Sequence, residues 1–119
     1  MRWFLLLILA LPGCVGQIST ANIRDMTNPV LDRHDAYVDA DTKLLSTVKA
    51  VMKLKSSIVR QQLEKNEVSV KNFEPPMIAV ADKHDDYVNK DARLTPTLKR
   101  IFLRSTTVIR DVIKEAKNE

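Results

Sequence analysis

The amino-acid sequence predicts an all-α protein, an internally duplicated antiparallel helical hairpin or four-helix bundle. Three observations predict it. Residues 30–69 align without a gap to residues 80–119 at a constant offset of fifty. The identical pairs are Val30/Val80, Asp32/Asp82, His34/His84, Asp35/Asp85, Tyr37/Tyr87, Val38/Val88, Asp41/Asp91, Leu44/Leu94, Thr47/Thr97, Lys49/Lys99 and Arg60/Arg110. Within each copy, apolar residues return as adjacent pairs every seven positions, the period of helices packed at a shallow angle. Beyond residue 16 the sequence has no Gly, Cys or Trp. Tight hairpin turns that need positive φ are then costly, which argues against a many-stranded β fold. A secreted domain of this size without cysteine has no disulfide staple, so packing or association must hold it.

The elements follow in order. Residues 1–16 read as a signal peptide: Arg2 supplies the positive start, Trp3–Leu11 is an unbroken apolar run, and Cys14 and Gly16 are the small residues before a cut at Gln17. Leu11-Pro12-Gly13-Cys14 also resembles a bacterial lipoprotein box, which would make Cys14 the lipidated residue, but proline fits that box poorly. Residues 17–27 form a polar lead-in, with helix conceivable from Thr20. The helical domain is expected over residues 28–119. Asn28-Pro29 offers an N-cap and a first-turn proline, and the apolar pairs Val30/Leu31, Tyr37/Val38, Leu44/Leu45, Val51/Met52 and Ile58/Val59 follow. Nothing interrupts the first copy before Asn66, so it can run straight. Residues 66–76, ending in Pro75-Pro76, carry the turn signals between the copies.

The second copy repeats the pairs at Tyr87/Val88, Ile101/Phe102 and Val108/Ile109. Its one local conflict is Pro96, which inside a helix would cost about 3 kcal/mol. A kink or break is expected there, with Thr95 as N-cap. Two long helices alone leave much of a two-residue-wide stripe wet. Four shorter helices, or two associated hairpins, would cover it. The predicted apolar core or interface comprises Tyr37, Val38, Leu44, Leu45, Val48, Val51, Met52, Ile58, Val59, Tyr87, Val88, Leu94, Leu98, Ile101, Phe102, Val108 and Ile109.

Charge follows the repeat. Residues 28–41 carry net −3 and residues 42–66 net +5; residues 78–91 carry net −2 and residues 92–117 net +5. A hairpin through residues 66–76 would lay each acidic front beside the other copy's basic back. The balance is too mild for nucleic-acid binding.

The repeated string His-Asp-x-Tyr-Val-x-x-Asp offers the only constellation with chemistry in it. His34, Asp41, His84 and Asp91 are weak metal-ligand candidates, because imidazole and carboxylate are metal donors. In a simple hairpin the two histidines would sit roughly 36 Å apart at the helical rise; only four short helices or a dimer could join them. A polar layer, with each histidine bonded to a carboxylate and each tyrosine ring in the core, is the plainer expectation. No catalytic residue and no cofactor is assigned. The mature chain has no thiol and no Gly-rich phosphate cradle. The expected function is that of a small secreted non-enzymatic protein acting by protein–protein interaction, with another protein or with its own copy. Two alternatives remain open: a carrier of a lipid or small apolar ligand, with Met52, Met77, Phe73 and Phe102 as candidate lining, and a cationic membrane-active protein. The sparse charge and single aromatic in the basic tracts argue against membrane contact.

Overall fold

The computed structural model describes residues Thr20–Asn118; the leader expected at residues 1–16 and the first part of the lead-in, residues 17–19, lie outside the described residues. The protein is an all-α four-helix bundle. Its helices are α1 (Thr20–Ala40), α2 (Ser46–Glu64), α3 (Val70–Lys90) and α4 (Pro96–Lys117). α1 and α3 have equal length and start fifty residues apart. Each packs against all three other helices, whereas α2 and α4 flank this central pair and do not touch each other. The chain runs up, down, up, down.

Each copy therefore folds back on itself, at residues 41–45 and 91–95, and the first copy does not run straight. The reason is local. Asp41 Oδ1 accepts the Lys43 backbone N–H at 2.9 Å, and Asp91 Oδ1 accepts that of Arg93 at 2.9 Å. These Asx turns offer the backbone an alternative to another helical turn. α4 then begins with Pro96 in the first turn and the Thr95 hydroxyl accepting from Leu98 N at 3.2 Å. α2 starts after Leu45 with no side-chain cap.

Two expected boundaries move. The first helix does not begin at Asn28-Pro29 but runs through Pro29 from Thr20. The connection between copies is not 66–76 but the short stretch 65–69, and α3 runs through Pro75 and Pro76. Burial on either side outweighs the prolines: Ile23 and Thr27 precede Pro29, and Phe73 and Met77 bracket Pro75-Pro76, all fully buried. Pro76 has no N–H for the Asn72 carbonyl four residues earlier. Gln62 on α2 supplies the missing donor, its Nε2 reaching Asn72 O at 2.8 Å. The turn that ends α2 needs one residue at positive φ, and in the absence of glycine Asn66 takes it, at φ 59°. Asn66 N donates to Leu63 O and Glu67 N to Gln62 O, so the last carbonyls of α2 are satisfied.

The core lies between α1 and α3 and is closed by the inner faces of α2 and α4. Ile23, Val30, Leu31, Val59, Leu63, Val68, Phe73, Met77, Val80, Ala81, Ile109 and Ile113 form one cluster. The outer faces differ. Leu45, Val48, Val51, Leu54 and Ile58 on or beside α2, and Leu98 and Ile101 on α4, are exposed.

Candidate functional site

Toward the loop end the core gives way to a polar layer built twice. In the first copy, His34 Nδ1 meets Asp35 Oδ1 at 2.9 Å, and Ser56 Oγ lies 3.0 Å from the same nitrogen. Arg60 reaches across from α2 to Asp35 Oδ2 at 2.7 Å and to Asp32 Oδ1 at 2.9 Å. The second copy repeats this fifty residues on. His84 meets Asp85 at 2.9 Å, Thr106 replaces Ser56 and donates to Asp85 at 2.7 Å, and Arg110 bonds Asp85 and Asp82 at 2.7 and 2.8 Å. His34 and His84 are both buried.

Within each His-Asp-Arg cluster the arginine and the aspartates are matched. Burial pushes the Asp35 and Asp85 carboxyls up, but the bonds each receives from its arginine, histidine and hydroxyl neighbours outweigh burial and hold both below the usual carboxylate range. Burial pulls His34 below the ordinary histidine value, with Asp35 only partly opposing it. A carboxylate can only accept and a guanidinium only donate. Arg33 Nε lies 3.1 Å from His84 Nε2, so the network assigns His84 the neutral tautomer with its proton on Nδ1.

One turn further on, the copies are clasped to each other. The Tyr37 and Tyr87 rings stack with centroids 5.3 Å apart and planes 11° from parallel. Tyr37 OH donates to Asp91 Oδ2 and Tyr87 OH to Asp41 Oδ2, both at 2.8 Å, so each tyrosine closes the other copy's loop. Burial first, and the aspartate second, push each phenol up to about 12. Arg93, aided by Tyr37, holds Asp91 well below the usual carboxylate range.

The sequence-predicted residues thus separate into three groups. Val38, Val59, Val88 and Ile109 are buried; Tyr37, Leu44, Met52, Tyr87, Leu94, Phe102 and Val108 are half-buried; Leu45, Val48, Val51, Ile58, Leu98 and Ile101 face outward. The four short helices bring His34 and His84 into one layer, not to opposite ends of a hairpin. Asp41 and Asp91 go to the tyrosines instead, and among the described residues no three His, Cys, Asp or Glu side chains lie together as a metal site would need. Acidic fronts pair with the basic back of their own copy, not of the other, because each copy folds back on itself. The repeated string already contains Asp35 and Asp85, but Asp32, Arg60 and their counterparts Asp82 and Arg110 were passed over as site residues. Their signal was available: each is a polar position kept identical in both copies.

Four helices, a duplicated His-Asp-Arg layer and a tyrosine clasp define the class of the protein, a small helical bundle with a polar inner layer. Comparison with known proteins finds no match among protein-family models, curated proteins or solved structures.

Proposed function

We propose that this chain is a secreted, non-enzymatic helical protein that works by binding other protein surfaces through the outer face of α2. The supporting observation is the stripe Val48, Val51, Leu54 and Ile58. The four are exposed and spaced at three and four residues, so they lie on one helical face. Leu54 and Val51 show 57% and 54% of their surfaces. Exposed apolar side chains in a row, in a chain whose core is already closed, are the common mark of a contact surface. Lys55 lies within the stripe, which favours a partner with an acidic residue beside an apolar face. The polar layer supports a non-enzymatic reading: each aspartate and hydroxyl in it is committed to a neighbour, and none is poised as a nucleophile. Secretion rests on the positive, apolar and small-residue order of residues 1–16.

The test is a charge placed in the stripe. Full burial of an apolar side chain is worth about 1.5–3 kcal/mol, so Val51→Lys with Leu54→Lys is expected to weaken association by at least tenfold while helix content is unchanged. Sedimentation across a concentration series reads self-association, and cross-linking in the native fluid reads other partners. A double variant with the same mass distribution and the same cross-linked set as the wild type would overturn the proposal. N-terminal sequencing of the exported protein checks the cut at Gln17.

A further inference from the structure

The two copies part company at one place. Between α1, the 91–95 loop and α4 lies a cavity of about 490 Å³, within the range of small-molecule pockets, about 300–1,000 Å³. Its apolar lining is Ala36, Tyr37 and Ala40 from α1, Leu94 from the loop and Phe102 from α4. The equivalents of the two alanines in the second copy are Asp86 and Lys90. They form an ion pair at 3.2 Å that occupies the corresponding surface. Met52 stands where the first site has Phe102, and Lys83 where it has Arg33.

Arg33 is the group that gives the cavity a preference. Its guanidinium lies 4.1 Å from the centroid of the Phe102 ring, and its Nε is spent on neutral His84. Its Nη2 is buried with no acceptor among the described residues. The other half-buried arginines of the polar layer, Arg60 and Arg110, hold two aspartates each. Arg33 has no carboxylate partner among the described residues. A half-buried charge without a counter-ion is costly, and an incoming anion relieves that cost. At the rim, Arg93 and Asp91 cancel each other through a 2.9 Å pair. One positive charge is left over, which matches a monoanion better than a phosphate dianion.

We infer that this cavity binds a small amphiphilic monocarboxylate, its carboxylate paired with the Arg33 guanidinium and its aromatic or short acyl body against Ala36, Ala40, Leu94 and Phe102. The site shares no residue with the α2 stripe, so it stands or falls independently of the proposed protein contact.

Calorimetric titration of the purified full chain with naphthalene-2-carboxylate, octanoate and the uncharged naphthalene-2-methanol tests it. Saturable one-to-one binding of a carboxylate is expected, with the alcohol at least tenfold weaker, the ratio expected of a charge-assisted contact. Arg33→Met is expected to erase the preference for the acid over the alcohol. Ala36→Asp with Ala40→Lys grafts the second copy's ion pair onto two exposed positions, leaves the core untouched, and is expected to abolish binding of both. No saturable binding of either carboxylate, equal binding of the alcohol by the wild type, or wild-type binding by either variant overturns the inference.

Discussion

The α1–α2 half and the α3–α4 half share a frame and differ in what they show to solvent. His-Asp-hydroxyl-Arg, the stacked tyrosine and the Asx turn recur in each at the same positions and at nearly the same distances. Differences collect outside that frame: Ala36 and Ala40 against Asp86 and Lys90, Leu54 against Arg104, Met52 against Phe102, Gln62 against Val112. The residues of the His-Asp-Arg clusters and of the tyrosine clasp are held in both copies. Residues that meet solvent or line a cavity are where the copies have separated. Gln62 shows the same logic inside the fold. Only α3 carries a proline that deprives Asn72 of its helical donor, and only α2 carries the side chain that replaces it. At the equivalent contact between α1 and α4, Met26 of α1 has an N–H where Pro76 has none, and Val112 of α4 takes the place of Gln62.

The comparison can be broken at four points. The largest effect is expected in the core, where Phe73 in one half stands for Ile23 in the other. Phe73→Ala should cost about 3–5 kcal/mol and Ile23→Ala about 2–5 kcal/mol in urea unfolding, by the usual cavity penalties. Similar values would show the halves to be energetically equal there. Next come the aspartates. Removing one partner of a fully buried ion pair costs about 3–5 kcal/mol. Asp35 and Asp85 keep 19% and 20% of their side-chain surface exposed, so Asp35→Ala and Asp85→Ala should each cost about 2–3 kcal/mol once screening by solvent is allowed for. A difference above about 1 kcal/mol would mean that Ser56 and Thr106 are not equivalent supports.

The pH limits test the same layers. Asp35 and Asp85 sit below the ordinary carboxylate value in the folded chain. The unfolded chain therefore takes up protons first on acidification, and their stabilisation, complete above about pH 4, is lost as pH falls further. His34 is also lowered, so its contribution starts to fall below about pH 6.5, the ordinary histidine value, and His34→Gln should flatten the melting temperature between neutral and mildly acidic pH. At the alkaline end the sign reverses. Unfolded tyrosine ionises near pH 10 but Tyr37 and Tyr87 resist to about 12, so between these values the unfolded chain holds fewer protons and stability drops as pH rises. Ultraviolet titration of Tyr37→Phe should still find Tyr87 well above 10, because its bond to Asp41 is separate. A return to the ordinary value would show that the Tyr37–Asp91 bond, not Tyr87's own burial and its bond to Asp41, sets the shift.

The smallest expected effect is at Gln62. Gln62→Val copies the second half and leaves the exposed Asn72 carbonyl to water, at a cost of about 0.5–1 kcal/mol. The reciprocal Val112→Gln should gain nothing, since the carbonyl of Asn22 has its helical donor.

Helix, duplication and the sevenfold apolar period were open to reading because they are local or self-comparing. Val38 and Val88, or Asp35 and Asp85, announce a shared role simply by recurring fifty residues apart. The clasp was not open to reading. That Tyr37 bonds Asp91 and Tyr87 bonds Asp41 depends on two turns, and a turn at residues 41–45 that contains neither Gly nor Pro gives little sign in a string of letters. The helix through Pro29 and Pro75-Pro76 was hidden for a related reason: local propensity opposes it, and burial of Ile23, Phe73 and Met77 prevails.

By itself the sequence determined that the chain is helical, that one unit is used twice, and which polar residues both units keep, since periodicity and repetition are properties of the chain alone. The tertiary structure decided that each unit bends into two helices, that its acids meet its own bases, that the histidines share a layer, and that Arg33 has no counter-ion among the described residues. Those outcomes depend on which side chains meet across forty or fifty residues, and only the packed core brings them together.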